Sequence, residues 1–228
     1  MKVTWQTELP QWVILAGMFI LALITWHSAP GQIPVHWNLA GEVDRYGGKF
    51  EGLLAIPLLA LAIYLLLLFL PRIDPGRANY ARFAGVYTTF RIAILVLLAL
   101  VYAVVHLWIR QRPVNVSVVM PAFIGGLMVV LGSLLGKIRP NWFVGIRTPW
   151  TLSSKTSWTR THRLGGWLFL LVGLATLVSG AISAPVAFYV LMGGLGLTVV
   201  WTVVYSYVVW RGDPDKVPPA GTLPADDS

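Results

Sequence analysis

Leu53-Leu54-Ala55-Ile56-Pro57-Leu58-Leu59-Ala60-Leu61-Ala62-Ile63-Tyr64-Leu65-Leu66-Leu67-Leu68-Phe69-Leu70 carries no charge along its whole length. A bilayer's hydrocarbon core is ~30 Å thick, and about 20 apolar residues cross it as a helix. A strand of a membrane barrel would alternate apolar and polar positions. This run is apolar throughout, so a helix, with its backbone bonded to itself, is the structure that spans. Five further runs read the same way: Gln11–Trp26, Ile92–Ile109, Val118–Leu135, Trp167–Ile182 and Val186–Val209. The fold class is all-α, a polytopic integral membrane protein with about six transmembrane helices.

The composition agrees. Of 228 residues, 57% are hydrophobic and 11% charged, and the mean hydropathy is +0.72; average soluble domains are about 25% charged. A soluble fold of this size exposes too much surface to hide so much apolar side chain. Disordered, collagen-like and ordinary cytosolic-enzyme classes are excluded. With no cysteine, there is no disulfide framework and no thiolate metal site. The net charge of +8 reads first as a signal of orientation and of attraction to anionic lipid.

With a cytoplasmic N-terminus, thirteen Lys and Arg fall inside and four (Arg45, Lys49, Arg110 and Arg112) outside. The positive-inside rule selects this N-in/C-in arrangement of a multi-pass protein of the cell membrane. The first run reads as a retained span, because Glu8 and Pro10 precede it and Thr25-Trp26-His27-Ser28-Ala29 is a poor cleavage pattern. Residues 1–75 form an N-terminal membrane domain with spans one and two and the outside loop 28–51. Residues 76–210 hold spans three to six and the basic inside loop 136–166, and residues 211–228 read as a disordered cytoplasmic tail. Spans five and six, joined around Ser183–Pro185, form a tight hairpin. In it Gly173 and Gly180 would approach Gly193, Gly194 and Gly196 closely.

Two loops carry most of the polar residues. The outside loop reads Ile33-Pro34-Val35-His36-Trp37-Asn38-Leu39-Ala40-Gly41-Glu42-Val43-Asp44-Arg45-Tyr46-Gly47-Gly48-Lys49. Gly41 and Gly47-Gly48 suit tight turns, and the residue before Pro34 is extended. The product is a compact loop presenting His36, Asn38, Glu42, Asp44 and Lys49. It is either a recognition surface or a cover over helix ends; a metal site from His36 and Asp44 is a weak pattern. The inside loop has six basic residues and no acidic one, with Trp142, Trp150 and Trp158 among the cations. It either lies along the headgroups or docks a cytoplasmic protein or an anionic group. Ser153 or Ser154 can cap a helix starting near Lys155, on which Trp158 and His162 share a face. No known motif supports direct nucleic-acid binding. A third feature, Tyr80, Phe83, Val86, Tyr87 and Phe90 at helical spacing, reads as an amphipathic anchor before span three.

Catalytic patterns are absent: there is no H-E-x-x-H, G-x-S-x-G or Walker A. His27 and His106 fall at span rims, and with His36 they would all face outside, the raw material of a pH sensor. No Asp or Glu is expected to be buried within the spans, which argues against ion coupling.

At the two loops the sequence resembles the SdpI immunity-protein family, together with the small membrane domain that usually accompanies it. The matching residues are Ile33-Pro34-Val35-His36-Trp37-Asn38 with Gly41, Asp44 and Lys49, then Asn79-Tyr80 with Phe83. Further on come Arg139-Pro140-Asn141, Gly145-Ile146-Arg147-Thr148-Pro149-Trp150-Thr151-Leu152, Trp158, Thr161-His162-Arg163 and Gly165-Gly166. The resemblance covers about residues 10–182; the last span matches only in being apolar. It implies a non-enzymatic membrane protein, without cofactor or metal, that protects a cell from an antimicrobial peptide toxin. It also implies signalling, in which toxin engagement outside recruits a transcriptional repressor to the membrane. On that expectation His36, Asn38, Asp44 and Lys49 meet the extracellular peptide. Asn141, Arg147, Thr148, Trp150, Trp158, His162 and Arg163 meet the repressor. The rival readings are a small-molecule or ion transporter, with Asn141, Arg147 and His162 at an inner mouth, and a membrane enzyme acting on lipid or peptide.

Overall fold

The computed structural model describes residues 4–112 and 114–217. Helix α1 (Trp5–Thr25) is followed by an antiparallel ribbon, β1 (Ile33–Trp37) with β2 (Val43–Gly47), and by α2 (Lys49–Ile73). A 3-10 turn, Arg77–Phe83, feeds α3 (Ala84–Ile109), and α4 (Val116–Leu135) returns. The one-turn helix α5 (Pro149–Leu152), then α6 (Lys155–Gly180) and α7 (Ala184–Arg211), complete the described chain. Six of these helices are long and apolar enough to cross a membrane. Each expected span lies within one of them or overruns it by a residue or two, and α6 begins twelve residues before Trp167.

Connectivity gives the bundle two different ends. One end carries the ribbon, the α3–α4 turn and the α6–α7 turn. The other carries the start of α1, the basic loop between α4 and α6, and the end of α7. One core joins α1, α2 and α3 to the ribbon through Leu15, Met18, Ile33, Leu53, Leu95 and Tyr102. A second, at the loop end, joins α2 and α3 to the loop and α6 through Leu67, Tyr80, Tyr87, Ile138, Val144 and Trp158.

Three expectations are corrected. Gly166, Gly173 and Gly180 of α6 make their closest approach to α4 rather than to the glycines of α7. A Cβ on Gly132 would stand 2.6 Å from the Leu170 nitrogen, and one on Gly173 2.8 Å from the Gly125 carbonyl; of the three α7 glycines only Gly194 meets α6, 2.8 Å from the Val172 side chain, and Gly193 and Gly196 meet nothing within 4 Å. Small residues let helix backbones touch, and α4–α6 is the most extensive helix pairing in the bundle. The aromatic stripe before span three is not a membrane anchor: Tyr80, Phe83 and Tyr87 are buried, with Tyr80 and Tyr87 ring centroids 5.1 Å apart and edge to face. The tail expected from residue 211 begins as ordered chain. Asp213 is buried and accepts a hydrogen bond from the Ser154 hydroxyl, and the Val217 N–H donates to the Ser153 carbonyl (3.0 Å). Residues 218–228 of that tail lie outside the described residues.

Candidate functional site

At the ribbon end, the sequence that read as a loop is a paired hairpin. Asn38 shapes its turn: the side-chain oxygen accepts from the Ala40 and Glu42 N–H groups (2.9 and 3.0 Å), and its amide donates to the Glu42 carboxylate (3.1 Å). Asn side chains form such turns readily. Gly41 takes φ +81° and rests on Ser117 at the start of α4. His36, opposite Arg45 in the ribbon's register, reaches the neighbouring Asp44, 2.6 Å away (Nδ1 to Oδ1), with both side chains exposed. Lys49 Nζ donates to the Trp26 carbonyl (2.9 Å), tying the hairpin's exit to the end of α1. Of the four expected contact residues here, Asn38 and Lys49 hold the hairpin's own shape. His36 and Asp44 are displayed to solvent as a pair.

Beneath the hairpin lies an open, largely apolar groove of about 300 Å³, lined among others by Val35, Trp37, Leu39, Met120, Phe188 and Leu191. It lies between β1 and the facing ends of α4 and α7. His106 does not join His36. It is buried in α3, its ring centroid 4.5 Å from that of Tyr102 and its Nδ1 3.5 Å from Thr25 Oγ1.

At the other end, the basic loop is a fixed scaffold. Asn141, 2% exposed, accepts from the Phe143 and Val144 N–H groups (3.0 and 2.6 Å) and donates to the Arg139 and Val144 carbonyls (both 2.9 Å). His162, fully buried, stacks on Trp158 with ring centroids 4.0 Å apart. Its Nε2 accepts from the Ile146 N–H (2.9 Å), so its Nδ1 carries the proton and donates to the Trp158 carbonyl (2.8 Å). Both ring nitrogens are thereby used, and the neutral Nδ1–H tautomer is selected. Ser154 caps α6, and Trp158 Nε1 donates to the Ile138 carbonyl (2.9 Å). Thr148 caps α5 and meets the Ser206 hydroxyl of α7 (3.0 Å), and Trp150 packs edge-on against Tyr207.

So Asn141, Thr148, Trp150, Trp158 and His162 build the loop. Arg147 and Arg163 are the exposed members of the expected set at this end, and Trp150 is partly buried. Arg147 Nη1 donates to the Trp142 carbonyl (2.9 Å), which fixes where the guanidinium sits.

A buried carboxylate in the first membrane-length helix overturns the expectation that the spans hold none, and a second lies just past the end of α2. In the first helix, Glu8 is 1% exposed and receives both Arg91 terminal nitrogens (3.0 and 2.8 Å) and the Tyr64 hydroxyl (3.0 Å). Trp12 Nε1 donates in turn to the Tyr64 oxygen (2.7 Å). Near the loop, Asp74, also 1% exposed, accepts from the Tyr80 hydroxyl (2.8 Å), the Gly76 N–H (2.6 Å) and the Trp142 N–H (3.1 Å). Asp74 and Asn79, whose amide donates to the Pro140 carbonyl (2.8 Å), join the first half of the chain to the basic loop. The sequence signal for the Glu8 pair was slight: an acid just before the first apolar run and a base just before the third. Among the described residues, no group of three His, Cys, Asp or Glu gathers to hold a metal ion.

No curated protein and no solved structure matches this chain. Residues 13–61, covering most of α1, the hairpin and half of α2, match the model of a domain of unknown function (DUF1648). Residues 137–206, covering the basic loop, α6 and most of α7, match the model of the SdpI/YfhL protein family, which extends the likeness into the last span. The segment that holds the Asn141 and His162 scaffold is thus similar to the SdpI/YfhL protein family.

Proposed function

We propose that this protein is a non-enzymatic immunity protein of the cell membrane, with its hairpin end outside and its basic-loop end in the cytosol. The hairpin and the groove beneath it engage an antimicrobial peptide toxin. The observation that carries this reading is the groove: an open, apolar slot next to a displayed His36–Asp44 pair suits a peptide with an apolar segment and a polar flank. The likeness of residues 137–206 to the SdpI/YfhL family agrees with an immunity role, and the excess of cations at the loop end agrees with the orientation.

The loop end supports the second half of the proposal, engagement of a cytoplasmic repressor. The bonded scaffold fixes the Arg147 guanidinium at the Trp142 carbonyl and carries exposed Arg163 on α6, and preorganised groups lose less entropy on binding. Helices α1 and α3 run between the two ends, meeting through Glu8–Arg91 at one and Thr25–His106 at the other. They are the elements through which an event at the hairpin would reach the loop. Such coupling requires two states that the toxin binds unequally.

The test is survival of a deletion strain challenged with the peptide fraction secreted by sibling cells. The native gene restores survival, and Leu39→Asp, which puts a charge at the rim of the groove, does not. Arg147→Ala keeps survival but loses the transcriptional response. A deletion strain as resistant as its parent refutes the immunity role.

A further inference from the structure

The cations at the loop end are of two kinds. Arg91 is buried against Glu8. Arg82, Arg139 and Lys155 come from three separate elements: the 3-10 turn, the chain after α4, and the first position of α6. They line one open cavity of about 780 Å³ with Asn79, Pro140 and Thr159. No carboxylate lines it, and none of the three cations has an ion-pair partner among the described residues. Like charges gathered around one space repel, and an anion placed among them reverses that cost.

The frame behind these side chains is tied down. The Asn79 amide bonds the Pro140 carbonyl, the Asn141 amide bonds the Arg139 carbonyl, and Ser154 caps the helix at whose first position Lys155 stands. That helix end adds its own positive potential. The cavity also has a definite level. Helix α4 ends at Leu135, with Gly136 against Arg163. Lys155 lies eight residues before Arg163 on α6, about 12 Å further out at 1.5 Å per residue. The headgroup layer begins where the apolar helices end and is roughly 5–7 Å deep on each side. The cavity therefore starts within that layer and opens to the water beyond it.

We propose that this cavity is a binding site for a phosphate group, carried by an anionic phospholipid headgroup or by a soluble phosphate. Two guanidinium forks match pairs of phosphate oxygens, and the ammonium supplies a compact charge. The site is separate from the Arg147 and Arg163 surface and stands whether or not the immunity reading does.

The test uses the full-length protein in a neutral detergent. The thermal unfolding midpoint is followed as phosphatidylglycerol, phosphatidylcholine or inorganic phosphate is added at constant ionic strength, since a ligand of the folded state raises it saturably. Phosphatidylglycerol raises the midpoint with saturation and phosphatidylcholine does not. If inorganic phosphate acts as well, the soluble group suffices; if it does not, the lipid headgroup is the ligand. Substituting Gln for Arg82, Arg139 and Lys155 together raises the half-saturating concentration roughly a hundredfold, from the loss of three cations near the membrane surface. Each single substitution, on an exposed side chain, does so by several-fold, so a misfolded triple variant would not decide the matter. Substituting Gln for Arg77, Arg160 and Arg211, exposed cations outside the cavity, changes it little. No saturable shift with any phosphate, or an equal loss in that second triple variant, overturns the proposal.

Discussion

Glu8 and Arg91 are 83 positions apart in the chain and form a two-point ion pair with both side chains 1% exposed, at the end of the bundle where α1, α2 and α3 meet. The Tyr64 hydroxyl completes the carboxylate, and the Arg91 guanidinium lies over the Tyr64 ring at 5.4 Å. Two charges taken out of water gain little net stability over an apolar pair of the same shape, but removal of one partner leaves the other buried and unmatched.

Glu8→Gln therefore lowers stability by ~3 kcal/mol or more. The double variant Glu8→Gln with Arg91→Met recovers most of that loss. Thermal unfolding of the purified protein in detergent measures both. A single variant as stable as the double one contradicts the buried pair.

That pair also marks the limit of reading this chain by hydropathy. The six runs were plain because each is a continuous apolar stretch, and Leu53–Leu70 alone sets the fold class. Glu8 and Arg91 sit just outside the runs, where charges count as orientation signals, and nothing local says that two run ends converge. The Ser154 cap and the Trp158–His162 stack were legible because both follow from spacing along one helix. That most residues of the G-I-R-T-P-W stretch build the loop was not legible. Whether a polar side chain bonds its own backbone or a partner depends on the fold around it.

Gly132 and Gly193 separate packing glycines from incidental ones. A side chain at Gly132 runs into the α6 backbone at Leu170 and Gly166, whereas Gly193 faces open space. Gly132→Val costs about 3 kcal/mol, as overpacking does at its upper range, and Gly193→Val leaves the unfolding midpoint unchanged. Equal midpoints for the two variants would refute the α4–α6 contact.

Gly145 takes φ +116°, and a Cβ there would overlap His162 Nε2. His162→Phe keeps the stack on Trp158 but strands the Ile146 N–H, at a cost of about 1–3 kcal/mol. Gly145→Ala adds backbone strain to the overlap and loosens the loop further. Limited proteolysis at Arg147 reads the effect: both variants are cut faster than the native protein, Gly145→Ala fastest. Unchanged cutting in both would contradict the scaffold.

The turn after α7 is pH-sensitive. The Ser154 hydroxyl bonded to the Asp213 carboxylate holds its pKa below the usual carboxylate range, and the Asp215 N–H, Thr156 and Lys216 act in the same direction. A folded-state value below the unfolded value of about 3.9 means that the link stabilises the turn at higher pH. It is lost as pH falls through the folded value. Hydrogen exchange at the Val217 N–H, bonded to the Ser153 carbonyl, stays slow near neutrality and accelerates only in acid below the ordinary carboxylate range. Ser154→Ala accelerates it already at neutral pH. Exchange independent of both pH and Ser154 would show that the carboxylate does not hold the turn.

The proposed function requires that the hairpin face the exterior and the basic loop the cytosol. The chain has no cysteine, so single cysteines report without background. Ala40 in the hairpin turn and Arg160 on α6 are both exposed positions. A membrane-impermeant maleimide applied to intact cells labels Ala40→Cys at once, and Arg160→Cys only after permeabilisation. Labelling of Arg160→Cys in intact cells, with Ala40→Cys protected until the membrane is opened, would contradict it.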